Sequence, residues 1–376
     1  YRRQRQMCIR DRMVCHAIHS YKNTMRFFYL PILAFVIGGA LCSCYHDKDK
    51  NIKKLSPELC LSDSDLHTPF FLAATNELLL VANTKSDTII DVYDAQTKTM
   101  VNQFLLHGEG PKEALHLMGV QYSASDSSIY LSDPFRKLMY KVKDYKDSAP
   151  TIETIFQYGL KDEKGVQIGD WCRYLANGKI MSAGVTPNGM LTYFNPDLTD
   201  FRHLEKYPDK DLVNENLDNW ANIMLYQSYS SVSPDGKHLA VVYYGADMVG
   251  VASVISEDSI SVRYQKKAYP NDIYVIQYNE QSSQGAYTGK SMSHYITVTA
   301  SDKYFYALYK GKRKRDCEKG LDRSTHVRCF DWNLNLITEM ELDEDAYQIA
   351  VTPDDKYLYA LNSSADKGYT IVKYGL

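Results

Sequence analysis

Several signatures are missing from these 376 residues. The cysteines of the main body, Cys60, Cys172, Cys317 and Cys329, form no C-x-x-C pair and lack zinc-site spacing. His107, His116, His203, His238, His294 and His326 show no HxH or HxxxH pattern, and no G-x-S-x-G elbow occurs. Dithiol redox chemistry, zinc hydrolysis and serine-nucleophile hydrolysis therefore have no local support. No apolar run reaches the roughly 20 residues of a membrane-spanning helix. No long helical period separates the strand-like segments, which argues against parallel βαβ architectures. Excess positive charge is lacking too. The first 43 residues hold seven Lys/Arg and one Asp, leaving 36 basic against 45 acidic residues on 44–376, a balance of −9. Such an acidic body excludes nucleic acid as an expected partner, because that affinity rests on neutralising phosphates. What is plentiful is tyrosine, 31 residues against 12 Phe, a composition suited to half-buried strands.

The first 24 residues stand apart. The chain opens on Tyr1, and Met7-Cys8-Ile9-Arg10-Asp11-Arg12 reads as the translation of a common transposase-end adapter. Residues 1–24 are thus expected to be adapter-derived or non-native, the alternative being a genuine basic leader. From Met25, one Arg precedes an apolar run of about 15 residues, Phe27 to Leu41, the length of a signal-peptide core. It ends in Leu41-Cys42-Ser43-Cys44, which resembles a bacterial lipobox with Cys44 as the lipid-bearing residue. The Cys42 register places Gly39 where Leu belongs and bulky Leu41 before the cut. A plain signal peptide or single anchor helix is the other reading. The expected organisation is a lipoprotein signal peptide over 25–43, a polar tether over 44–51 and one domain over 52–376, lipid-anchored in the cell envelope.

That domain is repetitive. A polar turn followed at once by an alternating apolar strand recurs six times, with Asn76, Asp126, Asn177, Asp235, Asp302 and Asp354 as equivalent turn residues. Their separations, 50, 51, 58, 67 and 52, give a period near 50. Short strands precede each copy and most are followed by another, in antiparallel order with turn residues that tolerate positive φ. The expected fold is all-β: a six-bladed β-propeller of four-stranded antiparallel blades. The chain ends after the third strand of blade six. The segment 52–62 is expected to supply the fourth by pairing with 369–375, so that no edge stays open. Blade four is irregular, with the stretch around Val249–Ile255 and the run Ile273–Tyr278 both eligible as its third strand; an extra hairpin or long loop is expected there.

The lipobox, the sixfold repeat and the loop Gly108-Glu109-Gly110-Pro111-Lys112-Glu113 resemble the TolB-like six-bladed propeller lipoproteins of Gram-negative bacteria, over about residue 44 to the end. Members of that family mostly lack an assigned function, so the resemblance bears on fold and location.

The loop His107 to Glu113 joins the outer strand of blade one to the inner strand of blade two. There it acts either as a structural turn or as a ligand-facing loop, His107, Gly108, Glu109, Gly110, Pro111 and Glu113 being its candidate binding residues. Trp171, Trp220 and Tyr226 occupy loop-like segments and are candidate aromatic contacts. Two functions of different class stand: a scaffold binding a peptide, protein or glycan without catalysis or cofactor, and a calcium-dependent, lactonase-like hydrolase. The second would use oxygen donors such as Glu113, Asp133, Asp170, Asn219 and Asp247. The basic run Lys310–Arg315 reads as a solvated or partner-facing hairpin. Cys317 and Cys329, 12 apart, are either a hairpin disulfide or two buried free thiols.

Overall fold

The computed structural model describes residues 52–157, 171–186, 189–204, 226–268, 273–279, 282–317, 320 and 322–376. Strands account for nearly all of the regular structure, and the only helical elements among these residues are two single 3-10 turns. Blade one comprises Pro69–Ala74, Leu78–Asn83, Thr88–Asp94 and Met100–His107; blade two Gly119–Ser123, Ser128–Asp133, Leu138–Lys143 and Thr151–Gln157. Blade three comprises Trp171–Tyr174, Ile180–Thr186, Gly189–Phe194 and Arg202–Leu204; blade four Ser228–Val232, His238–Tyr243, Asp247–Ser256 and Ser259–Ala268. The third strand of blade four is thus the Val249 stretch. The Ile273 run pairs instead with Ser282–Tyr287 as a separate hairpin between blades four and five.

Blades five and six are fused. Leu336–Val351, 16 residues long, is the outer strand of Met292–Ala300, Tyr304–Arg313 and Ser324–Asp331 at its start, and the inner strand of Tyr357–Ser364 and Gly368–Gly375 at its end. The fourth strand of blade six comes from the other end of the domain. Pro57–Leu61 pairs antiparallel with Gly368–Gly375, in the register Glu58↔Lys373 and Leu59↔Val372. Just before it, Lys53–Lys54 lies parallel to Met340 and Glu341 of blade five.

Packing explains the pattern of the repeat. Successive residues of a strand point to opposite faces, and each sheet is covered on both faces by its neighbours. Along Leu78–Asn83, Leu78, Leu80 and Ala82 join a cluster with Ile129, Leu131 and Tyr140 of blade two. Leu79 and Val81 join another with Tyr359, Leu361 and Ile371 of blade six. Comparable clusters fill the seams between blades two and three, three and four, four and five, and five and six. The second strands of blades one and two are therefore buried along their whole length and read as near-continuous apolar runs. Outer strands such as Met100–His107 are largely exposed. This is the geometry of a β-propeller.

Neighbouring residues of the Pro57–Leu61 strand separate two effects. Leu61 is 1% exposed in the seam between blades six and one, whereas Leu59 is 55% exposed. Leu61→Ala is expected to cost about 2–5 kcal/mol, and Leu59→Ala at most about 0.5 kcal/mol, by chemical denaturation. Equal effects would contradict this packing.

Candidate functional site

The strands run between two rims. At one lie the turns that join inner to second strands, the turns of the sequence repeat. Here the turn residues bind one another across blades. The Asp235 amide donates to Asp302 Oδ1 at 2.8 Å and the Asp354 amide to Asn76 Oδ1 at 3.2 Å. The Ala176 amide donates to the Gly236 carbonyl at 2.9 Å, and the Ala124 amide reaches past blade three to the Pro234 carbonyl at 2.8 Å. This rim is occupied with holding itself together.

The opposite rim carries the connections between blades, including His107 to Glu113. Glu113 folds back across its own loop: its Oε2 accepts the Gly110 amide at 2.6 Å. A Cβ on Gly108 or Gly110 would stand within 2.2 Å or 2.8 Å of that carboxylate, so both glycines leave the space it fills. Arg136 clamps the loop from blade two, donating to the carbonyls of Glu109, Gly110 and Glu113, while the Tyr140 hydroxyl also donates to the Glu113 carbonyl. Asp133 accepts the amides of Leu115, Phe135 and Arg136. The G-x-G-P-x-E segment is thus a self-bonded turn, with His107 and Glu109 exposed on it.

Beside that turn begins a row of aromatic rings. Phe135, 66% exposed, meets His116 edge-on at 5.5 Å. His116 lies 5.7 Å from Phe70, Phe70 touches Phe71 at 4.8 Å, Phe71 meets Trp171 at 5.8 Å, and Trp171 meets Tyr229 at 5.4 Å. The row leads from the rim into a cavity lined by residues of all six inner strands. Burial holds the His116 imidazole below its ordinary pKa, against the opposing pull of Asp133. It also pushes the Tyr229 hydroxyl up to about 12, with Asp322 adding to the effect. On the same rim Tyr244 donates to Asp322, Lys310 pairs with Asp322, and Lys314 sits 4.2 Å above the Tyr244 ring. Part of the basic run is therefore built into the rim.

Of the aromatic residues singled out from sequence, Trp171 lies in this row. Tyr226 is 4% exposed and belongs to the core between blades three and four. Trp220 lies outside the described residues, as do Cys44, Asp170 and Asn219. Glu113 and Asp133 bond the turn, and Asp247 accepts from Arg328 and Tyr295 inside the seam between blades four and five. Among the described residues no three His, Cys, Asp or Glu side chains come together as a metal site. Cys317 and Cys329 are two free thiols, Cys329 buried under blade six but Cys317, expected to be buried too, only half-buried beside its 3-10 turn. Sequence reading missed Phe70, Phe71, His116, Phe135 and Tyr229. Their available signal was position: counting back from the repeat turns places Phe70, Trp171 and Tyr229 at the starts of inner strands, hence at this rim.

A family model described as TolB-like 6-blade propeller-like matches residues 49–354. The chain belongs to that family. No curated protein matches it. Among solved structures, this TolB-like propeller is similar to a member of the duf4221 family from Bacteroides vulgatus, with 12% identity and TM-score 0.51, covering 86% of this chain and 98% of that one. A putative exported protein from Bacteroides fragilis gives 12% identity and TM-score 0.50, covering 87% and 95%. At these identities the likeness speaks to fold alone. A gluconolactonase from Xanthomonas campestris, at 10% identity and TM-score 0.48 with 86% and 90% covered, carries no argument about chemistry.

Two outcomes follow for this rim. Arg136→Ala removes the fork that holds three carbonyls, which neither a water nor Lys reproduces. It is expected to cost about 2 kcal/mol and to open residues 107–116 to limited proteolysis; an unchanged cleavage pattern would contradict the clamp. For His116 the folded pKa lies below the unfolded one near 6.5. The unfolded chain therefore binds the proton first, and stability falls as pH drops below about 6.5. Burial holds His238 and His294 down as well, so His116→Phe should lessen that acid-side slope without abolishing it in melting curves from pH 7.5 to 5; an unchanged slope would remove His116 from the account.

Proposed function

We propose that this propeller is a lipid-anchored envelope protein that binds a peptide, protein or glycan at its connection rim without turning it over. The row Phe135–His116–Phe70–Phe71–Trp171–Tyr229 carries the reading. An exposed ring leading over others into a lined cavity is how binding surfaces present apolar area with a polar handle, and rigid strands behind loops hold such a surface in place. The anchor rests on Leu41-Cys42-Ser43-Cys44, and the charged stretch after it suits a tether. The engagement of Glu113 and Asp133 with backbone amides of their own turns favours binding over calcium-dependent hydrolysis at this loop.

Phe135 and Ile255 are matched probes, 66% and 65% exposed, Ile255 standing near the end of its strand at the turn rim. Neither truncation should shift the melting temperature beyond a degree or two. Phe135→Ser is expected to lose at least about tenfold in affinity for the envelope partner recovered with the wild-type chain, a change of about 1.4 kcal/mol, while Ile255→Ser keeps it. Equal affinities would overturn the choice of rim. Cys44→Ala should move the protein from the membrane to the soluble fraction; retention on membranes would overturn the anchor.

A further inference from the structure

The cavity behind the aromatic row holds a charge that no described residue balances. Arg173, on the inner strand of blade three, is 6% exposed. Its Nε and Nη2 donate to the Ser230 carbonyl at 3.2 and 2.9 Å, and its Nη1 to the Cys172 carbonyl at 3.0 Å. These three contacts leave two of the five guanidinium N–H groups unassigned. No carboxylate among the described residues pairs with Arg173. Burial lowers its pKa to about 10, opposed by the neighbouring Cys172 thiol, so it remains a cation at neutral pH. A buried, unpaired charge costs several kcal/mol, and the other buried cations among the described residues avoid that cost: Arg328 meets both Asp247 and Glu339, and Lys179 meets Asp200 and Asp258.

Three further features share the cavity with the guanidinium or adjoin it. The Ser230 hydroxyl, on a residue 4% exposed that lines the same cavity, has no hydrogen-bond partner. Gly119 faces the guanidinium so closely that a Cβ there would stand 2.1 Å from Arg173 Nη1, so the inner strand of blade two is cut back to admit the group. Trp171, in the aromatic row, lies 5.7 Å from the guanidinium carbon. An unbalanced cation, an unpartnered hydroxyl and an adjoining ring form a receptor for an anion attached to an apolar body.

We infer that the channel binds a carboxylate, held by Arg173 and the Ser230 hydroxyl, with the group that bears it lying along Trp171 and Phe71. The planar fork of a guanidinium matches the two oxygens of a carboxylate, and the hydroxyl supplies a further donor. Two sources share this chemistry: a small organic acid, and the free C-terminus of a peptide. The site rests on the proposed function only for the rim by which a ligand enters.

The test uses the purified full chain and thermal shift at constant ionic strength. One arm compares 3-phenylpropionate with its amide, and the other compares Ala-Ala-Phe with a free C-terminus and Ala-Ala-Phe amide. At least one acid is expected to raise the melting temperature saturably, with its amide at least tenfold weaker; the acid that does so identifies the source. Arg173→Gln should abolish the difference between acid and amide. Ser230→Ala, which keeps the cation and removes only an unpartnered hydroxyl, should weaken the acid severalfold without lowering the ligand-free melting temperature. Acid and amide acting alike in both arms, or an undiminished preference in Arg173→Gln, would overturn the carboxylate site. Acid and amide binding equally but both lost in Phe135→Ser would leave the aromatic rim standing without it. If Arg173→Gln does not fold, the wild-type acid and amide comparison and Ser230→Ala decide.

Discussion

The Asp354 amide and the Asn76 side chain, 278 positions apart in sequence, meet at 3.2 Å, and at the other end of the inner strands the Tyr347 hydroxyl donates to the Pro69 carbonyl at 2.8 Å. These bonds join the last blade to the first, and the remainder of the domain depends on that junction. A blade buries apolar side chains on both faces of its sheet, so every blade needs two neighbours. Leu79 and Val81 of blade one have theirs in Tyr359, Leu361 and Ile371 of blade six. An open seam would expose both sets of side chains together with an unpaired strand edge. Supplying the outer strand of blade six from Pro57–Leu61 ties the seam to the beginning of the domain as well as its end.

The repeat was legible because its cause is local. Turns want Asn, Asp and Gly, and second strands buried on both faces want unbroken apolar residues, so six copies stand out at a period near 50. The irregular fourth blade was legible as a problem but not as a solution. Whether Asp247–Ser256 or Ile273–Asn279 completes the sheet depends on which segment His238–Tyr243 meets, a pairing that periodicity does not encode. The aromatic row was illegible for a related reason, since its rings come from different blades and separate turns. Tyr226 shows the converse: a residue in a loop-like sequence whose ring is drawn into the core by Tyr243. The G-x-G-P-x-E loop could be located but not interpreted. Its glycines make sense only once the Glu113 carboxylate is seen lying in the space they leave.

The two rims divide the labour. Backbone amides of the repeated turns are taken up in bonds between blades, and Trp332 adds an indole bond to the Asp302 carbonyl on that side. Rigidity at one end of the inner strands fixes where their other ends stand. Phe70, Trp171 and Tyr229 at those ends, and Arg173 just below, are thereby held at set separations while the connections beside them carry the variation in length. The organisation suits a surface that must recognise an apolar group and its charge together without rearranging.

The central claim is that the turn rim locks the ring and so presents the opposite rim. Native-state hydrogen exchange measures it directly at the amides of Ala124, Ala176, Asp235 and Asp354, all donors across blades. These lie in surface turns, which ordinarily exchange by local opening. The account predicts protection close to that of the core strands, with all four amides exchanging through one shared opening. Exchange at the rate of ordinary exposed turns, each amide independent of the others, would contradict it.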